Sequence, residues 1–131
     1  MQRYKILWVD DEIELLKPYV LFLEDRGYNV ITFNNPFSLI HYLQKNNDFD
    51  LILIDENMPG KTGIALITDI KAISNSIPLI MITKNEEENI MDEAIGSQIN
   101  DYLLKPLNPN QLLISIDRKS TRLNSSHQII S

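Results

Sequence analysis

Three aspartates, a threonine and a lysine stand just after short apolar runs in this chain, and their types suit the handling of phosphate around a hard cation. Ile6-Leu7-Trp8-Val9 runs into Asp10-Asp11-Glu12, and Leu51-Ile52-Leu53-Ile54 into Asp55. Leu79-Ile80-Met81-Ile82 runs into Thr83, and Tyr102-Leu103-Leu104 into Lys105. Unbroken aliphatic runs of this length suit parallel strands buried on both faces. In an open α/β sheet, ligands bind in the crevice beyond the carboxyl ends of such strands. Two carboxylates about 4 Å apart repel by roughly 4 kcal/mol at an effective dielectric of 20. An oxygen-seeking dication relieves that repulsion, and few carboxylates with retained waters fit magnesium. With Thr83 and Lys105 beside it, the site could hold a phosphoryl group, Asp55 acting as nucleophile to form an acyl phosphate. Each residue alone has a duller account: Asp10 and Asp11 as helix caps, Asp55 as a turn residue, Thr83 as a strand residue, Lys105 as a surface charge. Their recurrence at successive strand ends favours the chemical reading.

The elements that must carry these groups alternate strand and helix. A strand is expected over residues 4–9, then a helix from Asp11 or Glu12 with Ile13, Leu16, Val20 and Leu23 along one apolar face. Pro18 costs that helix little only near its first turn, and Gly27 ends it. A strand over 29–33 and a helix from Pro36 to about Gln44 precede the Asp55 strand. Helix 63–73, strand 79–82, helix 86–95 ending at Gly96, and strand 102–104 follow. Asn108-Pro109 caps a final helix with Leu112, Leu113 and Ile116 as its apolar contacts. This alternation predicts an α/β, flavodoxin-like doubly wound sandwich with a five-stranded parallel sheet in the order 2-1-3-4-5.

At 131 residues and 44% hydrophobic content, one domain with a proper core is expected. No apolar run approaches the ~20 residues of a bilayer span, and no secretory signal is read at the N-terminus. The net charge of -6 and the lack of a basic cluster argue against nucleic-acid contact by this domain and against membrane binding. The absence of cysteine excludes disulfides and thiolate metal sites, in keeping with a cytoplasmic location. The domain is expected over 1–116, with its last helix truncated. Residues 117–127 read Asp-Arg-Lys-Ser-Thr-Arg-Leu-Asn-Ser-Ser-His, every one matching the in-frame translation of a common sequencing adapter. The segment 117–131 is therefore expected to be a non-native tail, disordered or loosely docked.

On Asp10-Asp11, Asp55-Glu56-Asn57-Met58-Pro59-Gly60, Thr83 and Lys105-Pro106, the chain resembles the CheY-like receiver domain of bacterial two-component response regulators. The resemblance implies that Asp55 accepts a phosphoryl group from the phosphohistidine of a sensor histidine kinase. It implies magnesium held by Asp11, Asp55 and the backbone carbonyl of Asn57, with Asp10 acting through water. Lys105 would contact the phosphate, and Thr83 and Tyr102 would move together as the switch. It further implies a cis bond before Pro106, and a domain that catalyses its own aspartyl phosphorylation and dephosphorylation without being an enzyme in the usual sense. The implied partners are the kinase, an effector domain C-terminal to the receiver, and a second copy docked through the fourth helix, fifth strand and fifth helix.

More narrowly, Trp8-Val9-Asp10-Asp11-Glu12, Asp55 to Gly60, Met81-Ile82-Thr83-Lys84 with Glu86-Glu87-Glu88, and Asn108-Pro109-Asn110-Gln111 resemble the PorX regulators of type IX secretion. In those proteins a PglZ-type effector follows the receiver. Three features depart from the general family pattern. Lys84 stands where a small residue is usual, the connection from Gly96 to Tyr102 is longer than usual, and Leu107 replaces an aromatic. Lys84 is either a solvated side chain or a modulating cation at the pocket mouth. Two further classes stay open: a pseudo-receiver that never turns over phosphate, and a flavodoxin-like cofactor enzyme. The intact polar set weighs against the first, and the lack of a Gly-rich loop after the first strand against the second. A haloacid-dehalogenase-type phosphatase would need an aspartate where Asn57 stands.

Overall fold

The computed structural model describes residues 4–56, 58–84 and 99–123. Five strands, β1 (Lys5–Val9), β2 (Asn29–Phe33), β3 (Leu51–Asp55), β4 (Leu79–Thr83) and β5 (Asp101–Leu104), form one parallel sheet ordered β2-β1-β3-β4-β5. This is the expected flavodoxin-like order. Every residue of β3 and β4 is buried, which is why their sequences are continuous Leu/Ile runs rather than alternating ones. Successive side chains point to opposite faces. Leu7, Val9, Ile52, Ile54, Leu79 and Met81 therefore join one core with Leu39, Leu43, Leu66, Ile67 and Ile70. Ile6, Trp8, Leu51, Leu53, Ile80 and Ile82 join the other with Leu23, Leu112 and Ile116. Trp8, the single tryptophan, is wholly buried, and its indole N–H has no hydrogen-bond partner among the described residues.

The helices seat these cores. Helix α1 (Lys17–Asp25) is preceded by a 3-10 turn over Ile13–Leu16, where one continuous helix from Asp11 or Glu12 was the expectation. Pro18 explains the difference. In the first turn of α1 its missing N–H costs nothing, but its ring would strike the Glu14 carbonyl of an unbroken α-helix. Gly27 then takes a φ of 96°, closed to most side chains, and turns the chain into β2.

Helix α2 (Pro36–Lys45) starts on Asn35, whose side chain accepts the Ser38 N–H at 2.9 Å. Helix α3 (Gly63–Ile73) starts on Thr62, which accepts the Ala65 N–H at 3.2 Å. The last helix, Pro109–Leu123, starts on Asn108, whose Oδ1 accepts the Asn110 and Gln111 N–H groups at 2.8 and 3.2 Å. The helix expected over 86–95 lies outside the described residues.

The segment after Ile116 differs from expectation. Residues 117–123 continue the last helix instead of lying loose. Once Leu112 and Ile116 are packed, each further residue adds a backbone hydrogen bond without a new nucleation cost. Two surface contacts accompany the extension: Asp117 accepts from the Tyr28 hydroxyl, and Arg118 lies 3.8 Å from Asp101. Surface pairs of this kind contribute little. Ending the chain after Ile116 is expected to cost at most about 1–2 kcal/mol. Denaturant unfolding of the two lengths checks this, and a larger loss would mean that 117–123 pack on the core.

Candidate functional site

Register brings the polar residues to one end of the sheet. Val9 pairs with Ile54, and Asp55 with Ile82, so Asp10 falls level with Asp55 as β1 ends. Thr83 pairs with Leu104, and Lys105 follows on the next strand. The Lys105 N–H donates to the Thr83 carbonyl at 2.8 Å, extending that pairing one step beyond β5. The peptide bond from Lys105 to Pro106 is cis, as the resemblance implied.

Asp10 is wholly buried and divides its two oxygens between two tasks. Oδ1 accepts the Glu12 N–H at 2.8 Å and shapes the turn out of β1; this is a turn contact and not a helix cap, since the 3-10 turn that follows starts on Glu12 without a side-chain cap. Oδ2 has no hydrogen-bond partner among the described residues and lies 3.3 Å from Lys105 Nζ. The same ammonium lies 3.2 Å from Asp55 Oδ1. Asp11 is exposed beside them. One oxygen from each of Asp10, Asp11 and Asp55 lies within 4.8 Å of the other two, a spacing that could hold a metal ion.

Electrostatics agree with that arrangement. Burial pushes the Asp55 carboxyl up to about 6, the neighbouring Asp10 charge adds to the push, and Lys105 only partly opposes it. For Lys105 itself, burial would favour the neutral amine, but Asp55 and Asp10 outweigh that and raise its pKa. Three clustered carboxylates therefore share one ammonium, which lies close to Asp10 and Asp55, and Asp10 Oδ2 has no hydrogen-bond partner among the described residues. An all-oxygen donor set with excess negative charge suits a hard dication of the magnesium type.

Thr83 is buried at the end of β4. Tyr102 lies on β5 opposite Met81 and is partly exposed, with Leu104 and Ile114 exposed nearby. Lys84 is exposed and, among the described residues, forms no ion pair with Asp10 or Asp55. Asn57 lies outside the described residues. After it, Met58 buries its side chain in the core and Gly60 turns the chain with a φ of 89°. Leu107, the departure from an aromatic, is buried, and its carbonyl accepts the Tyr19 hydroxyl at 2.9 Å. A cleft of about 270 Å³ runs from Asp10 and Lys105 past Leu15, Leu16 and Tyr19.

Residues 6–117 match the response regulator receiver domain family. The chain belongs to that family. The receiver is 35% identical over 114 residues to the transcriptional regulatory protein CpxR homolog of Haemophilus influenzae, spanning 86% of this chain and 48% of that protein. It is 30% identical over 122 residues to the response regulator SaeR of Staphylococcus aureus, spanning 93% of this chain and 53% of that one. The receiver thus spans about half the length of these two curated relatives. Among solved structures it is similar to the chemotaxis protein CheY4 of Vibrio cholerae, with a TM-score of 0.80, 29% identity, and 89% and 98% of the two chains covered. A CheY-like receiver from Methanospirillum hungatei shares the fold at a TM-score of 0.85 and 24% identity, covering 95% of this chain and 99% of that one. Two-component signalling is the setting in which this domain works. No described helix is long and apolar enough to cross a membrane.

Proposed function

We propose that this receiver takes a phosphoryl group on Asp55 from the phosphohistidine of a sensor histidine kinase and thereby switches an effector. The observation that carries the reading is the Asp10, Asp11 and Asp55 cluster with the Lys105 ammonium beside Asp10 and Asp55. An Asp55 oxygen attacks phosphorus, the phosphorus–nitrogen bond breaks, and the imidazole nitrogen leaves with the electron pair. Lys105, already within ion-pair distance of Asp55, takes up a phosphoryl oxygen as the carboxylate loses its charge. The Thr83 hydroxyl follows another oxygen, and Tyr102 moves with it. Asp11, Asp55 and the Asn57 carbonyl would hold magnesium, with Asp10 acting through water. The bound ion would neutralise charge on the phosphoryl oxygens. Acetyl phosphate with magnesium should add one acid-stable, base-labile phosphoryl group, and labelling that ignores magnesium would remove the metal from the scheme.

The effector we favour is of the PglZ type, on the PorX-like stretches around Trp8, Asp55, Thr83 and Asn108. The uninterrupted reading frame downstream of Ile116 tests this together with the adapter origin of the tail. A second copy docking through the β5 face, with its exposed Tyr102 and Leu104, belongs to the same proposal.

Lys84 is assigned the role of modulator. A phosphoryl group on Asp55 extends outward toward the strand ends, where an exposed cation after Thr83 attracts it and occupies the approach of an attacking water. Lys84→Ala is expected to speed loss of the phosphoryl group. Side-by-side decay at fixed magnesium decides, and equal or slower decay in the variant rules the role out.

A further inference from the structure

We propose that Gly63 is a positioning residue for the Asp55 carboxylate, because its missing side chain lets α3 seat directly on the backbone of Asp55 and Glu56. The inference rests on the reading of Asp55 as phosphoryl acceptor and adds to it what holds that acceptor in place.

A Cβ built on Gly63 would lie 2.8 Å from Glu56 Cα and 3.1 Å from the carbonyl oxygens of both Asp55 and Glu56. Carbon atoms in good contact stay about 3.5–4.0 Å apart, so an added methyl demands a retreat on the order of 1 Å. All three atoms it meets are main chain, and no rotamer change relieves the collision. Among the described residues the positive-φ glycines are Gly27 and Gly60, so Gly63 is needed for room and not for an unusual backbone angle. Neither side yields easily. The Glu56 N–H donates to the Ile82 carbonyl at 2.9 Å, pinning the end of β3 to β4. The Gly63 N–H donates to the Glu56 carbonyl at 2.7 Å, and Thr62 holds the same first turn through the Ala65 N–H. The end of β3 is thus clamped from two directions, by β4 through Ile82 and by α3 through Gly63. Asp55 is the residue immediately before the clamp. Relaxing the α3 side frees its carboxylate to shift against Asp10, Asp11 and Lys105.

A misplacement of about 1 Å in a reacting group can cost ~100-fold in rate, and loss of a ligand's supporting partner costs about 10–100-fold in metal affinity. Gly63→Ala is expected to raise the magnesium midpoint about tenfold and to slow labelling by acetyl phosphate at saturating magnesium by at least as much. Ile70→Val, on the same helix and buried in the core, is the control. It should lose some stability to the missing methyl, read as a lower urea midpoint, and keep the wild-type magnesium midpoint and labelling rate. A merely structural role would lower the folded fraction of Gly63→Ala and leave its magnesium midpoint in place. A folded Gly63→Ala with wild-type midpoint and rate overturns the inference while leaving the acceptor reading intact. Failure of the wild type itself to label overturns both. Should Gly63→Ala not fold, Thr62→Ala decides, since it loosens the same turn without a collision: a raised midpoint supports the clamp, and an unchanged one overturns it.

Discussion

Asp55→Ala is expected to reduce labelling by acetyl phosphate to background, whatever the magnesium concentration. Asp10 is the other buried carboxylate of the cluster, but its Oδ1 is committed to the Glu12 N–H and its Oδ2 faces Lys105. Asp11 is exposed to water at the edge of the cluster. Only Asp55 sits at the end of a strand buried along its whole length, with its carboxylate beside an ammonium that can follow charge onto a phosphoryl oxygen. Removing the nucleophile removes the bond that forms, so the loss should be complete and not graded. Beryllofluoride binding, read by magnesium-dependent chemical shift changes, should vanish in the same variant. Unchanged labelling in Asp55→Ala would assign the chemistry to another residue.

The same substitution site should behave oppositely in a stability measurement. The folded protein holds the Asp55 carboxyl near pH 6, raised from 3.8 by burial and by Asp10, so the fold binds the proton more tightly than the unfolded chain does. Linkage then fixes the sign: this contribution to stability is full below about pH 4 and is lost as pH rises through about 6. Without metal at pH 7, the domain therefore carries an ionised carboxylate that its surroundings disfavour. Asp55→Asn keeps the shape and removes the charge, and is expected to stabilise the metal-free domain by about 1–3 kcal/mol. The gain should shrink on going to pH 4. Magnesium should reverse the order, because it stabilises the wild type by binding only the folded state. Urea unfolding of both proteins at pH 4 and 7, with and without magnesium, checks all of these signs. A metal-free variant less stable than wild type at pH 7 would show that Asp55 is held ionised by favourable contacts.

Much of the scaffold was legible because burial on two faces leaves a strand no choice of residue type. Leu51 to Ile54 and Leu79 to Ile82 read as strands for that reason. Asp55 and Thr83 stood out because a polar group after such a run must lie at the sheet's edge. Asp10 and Lys105 were legible as types, but not the division of Asp10 between a turn and a cation, which depends on the direction of individual oxygens. The 3-10 turn before α1 was half visible. Pro18 announced an early helix position, whereas the break it imposes at Leu16 depends on where the β1 loop delivers the chain. In the sequence Gly63 marks only the start of a helix. Nothing in a sequence distinguishes a glycine that tolerates a side chain from one pressed 2.8 Å against another backbone. The helical run beyond Ile116 was missed because its polar residues carry no apolar period, and their helix is inherited from the packed turns before them.

Trp8 gives these experiments an optical handle. As the only indole in the chain, wholly buried in a hydrophobic core, it should emit at short wavelength when the domain is folded and shift to the red when water reaches it. It lies on β1, the strand that leads into Asp10, with one residue between them. A quencher dissolved in water cannot touch it in the folded state, so the colour and the quenching of one chromophore report folding, variant by variant, without any added dye.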